Sequence, residues 1–124
     1  MKFTKRTVAV AMIVSFACAS PSSAHHSFAM FDQSKKMVID GTVSKFVWTN
    51  PHVFIAVEVP SKNGKAERYA IEAASTNMLA RGGWKVSSLK AADRVRVTFY
   101  PAKNGGKGGL LIQIQRPDGT ILKQ

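Results

Sequence analysis

The chain has 124 residues, of which 45% are hydrophobic, and it carries 18 Lys and Arg against 7 Asp and Glu, a net charge of +11. This length supports one small domain with a modest core and excludes a two-domain enzyme with a deep cleft. Its single cysteine, Cys18, excludes a disulfide framework and a site built from several thiolates.

The chain begins with a short positively charged segment that contains three basic residues, Lys2, Lys5 and Arg6. An uncharged run follows from Val8 to Ala19, too short to cross a bilayer as a helix and typical of the apolar part of a signal peptide. Small residues at Ser22 and Ala24 suit cleavage after Ala24. We therefore predict a cleavable signal peptide over residues 1–24 and a periplasmic or secreted protein.

Three other interpretations of the N-terminal segment stay open. They are cleavage after Ala19, a lipoprotein acylated at Cys18, and a retained anchor, although the apolar run is short for an anchor. Cleavage after Ala24 removes three of the basic residues and none of the acidic ones. Residues 25–124 then form a single domain with 15 Lys and Arg, a net charge of +8 and no cysteine.

From Lys36 onward, apolar and polar residues alternate with a period of two, which predicts β-strands. The expected strands cover residues 37–48, 52–59, 66–73, 94–100, 110–115 and 121–122. Gly41 suggests a bulge in the first strand. Ser75 or Thr76 can cap one short helix that ends before Gly82. The glycine-rich stretch 101–109 predicts a mobile loop.

Three strands, a short helix and two or three further strands follow one another in the order of an OB-type barrel, whose helix lies between strands 3 and 4. Closing the barrel removes the edges that so short a sheet would expose. We therefore predict a mainly β, OB-like barrel of five to six strands. The alternative is a small open sheet with the helix on one face.

Histidines at two places could hold a metal ion. If cleavage makes His25 the first residue, its α-amine, which titrates near pH ~8, and its ring nitrogen can chelate one ion. His26 or His52 could add a third nitrogen and Asp32 an oxygen. Nitrogen donors in this number suit Cu(II), so copper is the candidate cofactor. In the alternative interpretation, His25 and His26 are ordinary polar residues and His52 forms a hydrogen bond with a loop carbonyl.

Other residues suggest binding rather than catalysis. Trp48, Asn50 and Trp84 could form a ligand-binding surface, with core packing as the alternative for the two aromatic residues. We find no serine in a triad setting and no convincing pair of carboxylates, so we do not expect an enzyme. The basic residues occur in ones and twos, without the long run that would suggest nucleic acid.

Several short strings occur together in this chain: His25-His26-Ser27-Phe28, Gly41-Thr42-Val43, Trp48-Thr49-Asn50-Pro51-His52, Gly83-Trp84 and Pro117-Asp118-Gly119. As a set they resemble the DUF6152 family, small exported bacterial proteins of unknown function. The resemblance spans essentially all of residues 25–124. It implies export and places the three histidines in two signature strings, and it implies no activity.

The leading hypothesis is a periplasmic binding or accessory module without catalysis, with a copper-like metal at the N-terminal histidine as its candidate ligand. The alternative is an interaction protein whose basic surface holds an anionic envelope component or a partner protein. A weaker third hypothesis is a copper enzyme. After signal cleavage we expect no transmembrane segment.

Overall fold

The computed structural model describes residues 28–124, which are mainly β. Their strands and helix are β1 (Met37–Val47), β2 (Phe54–Pro60), β3 (Ala66–Glu72), α1 (Thr76–Arg81), β4 (Arg94–Pro101), β5 (Gly108–Gln115) and β6 (Ile121–Lys123). The predicted signal peptide, His25 and His26 lie outside the described residues.

Five strands close into a barrel. Antiparallel pairing gives the order β3-β2-β1-β4-β5-β6, and a parallel pairing between β3 and β5 joins the first strand of this order to the fifth. The sixth strand extends β5 outside the barrel, and α1 lies between β3 and β4 in the chain. The OB-like barrel is therefore confirmed, and the open-sheet alternative is wrong.

The alternation of the strands produces the core. Every second residue of β2 and β4 faces inward, and the fully buried members include Ile55, Val57, Val97 and Phe99. Leu79 of α1 adds a side chain that is only 1% exposed, whose burial contributes roughly 2 kcal/mol. The helix begins where the hydroxyl of Ser75 accepts a hydrogen bond from Met78 N at 3.3 Å, as the capping pattern predicts.

We predicted a bulge at Gly41, but the structure places the bulge of the first strand elsewhere. The register of β1 against β2 shifts between Val43 and Lys45, so the extra residue is Ser44. Gly41 has a different role. A Cβ at this position would lie 2.4 Å from the carbonyl oxygen of Glu58, so the close approach of β2 requires glycine there.

The last two glycines of the predicted mobile loop are strand residues, so that prediction was wrong for Gly108 and Gly109. Both are buried in β5. A Cβ on Gly108 would lie 2.0 Å from the carbonyl oxygen of Ala70, and one on Gly109 would lie 1.9 Å from that of Tyr100. These glycines let β3 and β4 flank β5, and they thereby allow the barrel to close.

Candidate functional site

Four of the predicted ligand-binding and metal-binding residues lie at one end of the barrel, together with α1. We call residues 48–53, 73–84 and 122–124 the helix-side end. Here His52 Nδ1 lies 3.3 Å from Glu72 Oε1 and 3.3 Å from the carbonyl oxygen of Ala73. When Nδ1 carries the proton, it donates to these oxygens. The alternative reading of His52, a histidine that bonds a loop carbonyl, agrees with this geometry.

Asn50 fastens the loop after β1 to the start of the helix. Its side-chain oxygen accepts hydrogen bonds from Thr76 N at 3.0 Å and from Thr76 Oγ1 at 2.9 Å. The C-terminus is fastened in a similar way, because Gln124 Oε1 accepts from Ala74 N at 2.8 Å. The amide of Asn50 thus satisfies two donors at the start of α1, one of them a backbone N–H that has no partner within the helix.

The two tryptophans of the predicted ligand surface pack inside the protein to different extents. Trp84 is 1% exposed, and its Nε1 donates to the carbonyl oxygen of Lys123 at 2.9 Å. Trp48 is half-buried and makes an edge-to-face contact with Phe46, with ring centroids 5.9 Å apart. In this arrangement Trp84 belongs to the core. Ligand binding through Trp48 and Asn50 stays a prediction.

Asp32 lies at the opposite end of the barrel from His52. Its backbone N–H donates to the carbonyl oxygen of Pro101 at 2.8 Å, next to the start of β1, whereas His52 follows the end of β1. The 11 residues of β1 thus separate Asp32 from His52 along the barrel. Hydrogen bonds from Ser34 lower the pKa of Asp32.

The described residues contain no group of three or more His, Cys, Asp or Glu side chains arranged to hold a metal ion. The predicted set of His25, His26 and His52 is not tested by this, because its first two members lie outside residues 28–124. It stays a prediction, with a direct measurement. Titration with Cu(II) by calorimetry should give tight binding that weakens in His52→Ala, and binding indifferent to that change would remove His52 from the set.

A different site lies on the outer surface of the barrel, where arginines converge. A groove of about 550 Å³ is lined by residues from β1, β2, β4 and β5 and from the turn after β5: Asp40, Gly41, Thr42, Pro60, Arg94, Val95, Arg96, Gln115, Arg116 and Pro117. We call it the arginine groove. Val95 is 5% exposed and faces the core, so Arg94 and Arg96 project outward on either side of it.

Two of the three arginines are held in place. Arg96 donates from Nε to Asp40 Oδ1 at 2.7 Å and from Nη2 to Asp40 Oδ2 at 3.0 Å. This paired bond lowers the pKa of Asp40, so the carboxylate is charged at neutral pH. Arg116 donates from Nε to Thr120 Oγ1 at 2.8 Å. With three arginines and one aspartate, the groove carries a net positive charge.

Arg94 differs from the other two arginines. Its side chain is exposed and makes no hydrogen bond or ion pair with any residue in the described range 28–124. A guanidinium has five N–H donors in a planar fork that matches a carboxylate or a phosphate. The guanidinium of Arg94 is therefore open to solvent, where it can donate hydrogen bonds to an anionic ligand.

The arginine groove was not predicted from the sequence. The alternation of β4 placed Arg94 and Arg96 on one outward face, which was the available signal. The positions of Asp40 and Gln115 in the groove depend on how the strands pair. Asp40 lies opposite Arg96 across β1 and β4, and Gln115 lies opposite Arg96 across β4 and β5, which brings the following Arg116 beside them. These pairings join residues up to 56 positions apart, and no local pattern indicates them.

None of the helices among the described residues is both long and apolar enough to cross a membrane. No curated protein and no solved structure gives a significant match to this chain. One family model matches it over residues 12–113, which is most of its length. The chain therefore belongs to the family of unknown function DUF6152, as its sequence motifs indicated.

Proposed function

We propose that this protein is an exported, non-catalytic binding module that holds an anionic component of the cell envelope on its basic surface. The observation that carries this proposal is the distribution of charge. Five of the seven acidic side chains form ion pairs with Lys or Arg within the described residues, in the pairs Lys35–Asp32, Arg68–Glu58, Lys90–Asp93, Arg96–Asp40 and Lys107–Glu67. A sixth, Glu72, lies 3.3 Å from His52 Nδ1.

These pairs leave most of the positive charge unbalanced. Five of the 15 Lys and Arg after residue 27 take part in them, so the other ten form no ion pair in the described part of the chain. The remaining acidic residue, Asp118, accepts hydrogen bonds from Thr120 instead. Unbalanced surface cations attract a polyanion over distances of about 10 Å at 0.1 M salt, which favours capture of an acidic polymer.

The proposal is tested by binding to a polyanion at several salt concentrations. The purified protein is titrated with alginate, a carboxylated polysaccharide, and with dextran, its neutral counterpart. We expect binding to alginate that weakens by at least about tenfold between roughly 0.02 M and 0.2 M salt, because several screened contacts act together. Binding to dextran of equal strength, or binding independent of salt, would contradict the proposal.

The same preparation tests the export that the proposal assumes. N-terminal sequencing of protein recovered from outside the cytoplasm should begin at His25 if the signal peptide is cut after Ala24. A chain that still begins at Met1 would contradict the predicted export and remove the envelope from the candidate partners. The salt-dependent attraction to a polyanion does not depend on that result, so the two parts of the proposal are tested separately.

A further inference from the structure

We propose that the arginine groove is a specific site for the oxyanion of an acidic sugar, a carboxylate or a phosphate, and that Asp40 weakens this binding by occupying Arg96. The inference rests on the proposed function, because it places one specific binding site on the basic surface that attracts the anionic component. It concerns residues that the predicted metal site does not include.

The size and lining of the groove favour a sugar unit over a bare ion. Its volume of about 550 Å³ lies within the range of small-ligand sites, whereas one oxyanion would fill only a small part of it. Thr42 and Gln115 supply groups that can hydrogen-bond hydroxyls. Pro60 and Pro117 add apolar surface on which a sugar ring can pack.

The three arginines offer different numbers of free donors. Arg94 has all five of its N–H groups available among the described residues. Arg116 is oriented by its bond to Thr120 Oγ1, while its Nη1 is 3.4 Å from the carbonyl oxygen of Ser88, so Nη2 remains available. We therefore assign the oxyanion to Arg94, with Arg116 as the second contact.

Replacing Asp40 should change the affinity for the anion in the opposite direction from replacing an arginine. Its carboxylate accepts hydrogen bonds from Nε and Nη2 of Arg96. These two nitrogens form the edge of the guanidinium that would otherwise bind an oxyanion through two bonds. Asp40 also places a negative charge where the ligand would bring another. Arg96 holds the pKa of Asp40 low, so this competition is present at neutral pH. Removing the charge should therefore strengthen anion binding.

The test is titration of the purified protein with glucuronate, glucose 6-phosphate and glucose, followed by NMR chemical shifts. Glucuronate and glucose 6-phosphate separate a carboxylate from a phosphate ligand, and glucose is the neutral control. We expect at least one of the two anions to shift the backbone signals of β4 and of residues 115–117, and glucose to shift none of them. Selection of one anion over the other would identify the oxyanion.

Two pairs of matched variants locate the binding. Arg94→Ala should weaken the affinity for the anion about fivefold, and Arg81→Ala by less than about twofold. Arg81 is exposed at the end of α1, without an ion pair among the described residues, so it controls for the loss of one positive charge. Asp40→Asn should strengthen binding about threefold. Asp32→Asn removes the same charge before the start of β1 and outside the groove, and should leave the affinity nearly unchanged.

Each contrary result has a defined meaning. Equal losses in Arg94→Ala and Arg81→Ala, or weaker binding in Asp40→Asn, would overturn the groove as the site. Shifts caused by glucose as large as those caused by the anions would overturn the oxyanion as the recognised group. If neither anion binds while alginate still does, this inference fails and the proposed function stands. If alginate also fails to bind, both are wrong.

Discussion

The helix-side end and the arginine groove both carry polar and charged residues, yet the two regions use them in opposite ways. At the helix-side end, the amides of Asn50 and Gln124 and the indole N–H of Trp84 are each bonded to another part of the chain. In the groove, Arg94 has no such partner among the described residues. Availability for a ligand therefore depends on which hydrogen bonds the fold has already used.

Burial explains the difference for the indole N–H of Trp84. A polar group removed from water must find a partner or cost about 1–3 kcal/mol, and no buried side-chain N or O atom within residues 28–124 lacks one. The exposed amides of Asn50 and Gln124 are instead used to hold the loop after β1 and the C-terminus against the residues around α1. The groove lies on the outer surface, where water solvates a guanidinium at little cost. The first region is thus built for stability and the second is free to bind.

The largest expected effect is at Trp84, in the helix-side end. Trp84→Ala should lower the free energy of unfolding by about 3–5 kcal/mol, because it leaves a cavity where a fully buried ring packed. Urea denaturation followed by circular dichroism measures this loss. Trp84→Phe, which retains an aromatic ring but loses the bond to Lys123, should cost less. A loss below about 1 kcal/mol in Trp84→Ala would show that this end is not part of the core.

The seam where the barrel closes gives the next largest effect. Gly108→Ala should destabilise the protein by about 2–3 kcal/mol, because the new Cβ would meet the carbonyl of Ala70 and the φ of +142° disfavours a side chain. Gly106→Ala is the matched control, since its Cβ would meet only the side chain of Asn104. Urea denaturation of the two variants compares them. Equal stability would contradict the seam as the reason for glycine at position 108.

These glycines also mark what the sequence could and could not predict. The period-two alternation predicted the strands, and Ser75 predicted the start of α1, because both signals are local. A glycine required by a neighbouring backbone looks the same in sequence as a glycine in a loop. Gly108 was therefore assigned to a loop. The bulge was placed at Gly41 instead of Ser44, because the sequence of one strand does not determine its register against the next.

The same limit applies to the candidate sites. Trp48, Asn50 and Trp84 were singled out by residue type, yet type does not indicate which side chains the fold will bury. Arg94 and Arg96 were visible as an outward pair on one strand. Their convergence with Arg116 and with the restraining Asp40 depends on the pairing of β4 with both β1 and β5. Only the closed barrel brings these residues together.

A smaller effect is expected where Asn50 fastens the helix to the barrel. Asn50→Ala should cost about 1–2 kcal/mol, because Thr76 loses two hydrogen bonds at the start of α1. Thermal unfolding measures the change. Asn77→Ala is the control, since Asn77 is exposed in the same helix and its side chain makes no hydrogen bond within the described residues. Equal midpoints for the two variants would remove Asn50 from the structural role assigned to it.

The smallest expected change in stability is in the groove, and it completes the comparison. Arg94→Ala should alter the free energy of unfolding by no more than about 0.5 kcal/mol, because the side chain is exposed and holds no partner among the described residues. Urea denaturation is measured on the same preparation as the anion titration. A stable variant that has lost affinity for the anion separates binding from folding at a single residue. A variant destabilised as much as Asn50→Ala would mean that Arg94 supports the barrel, and the contrast between the two regions would then fail at Arg94.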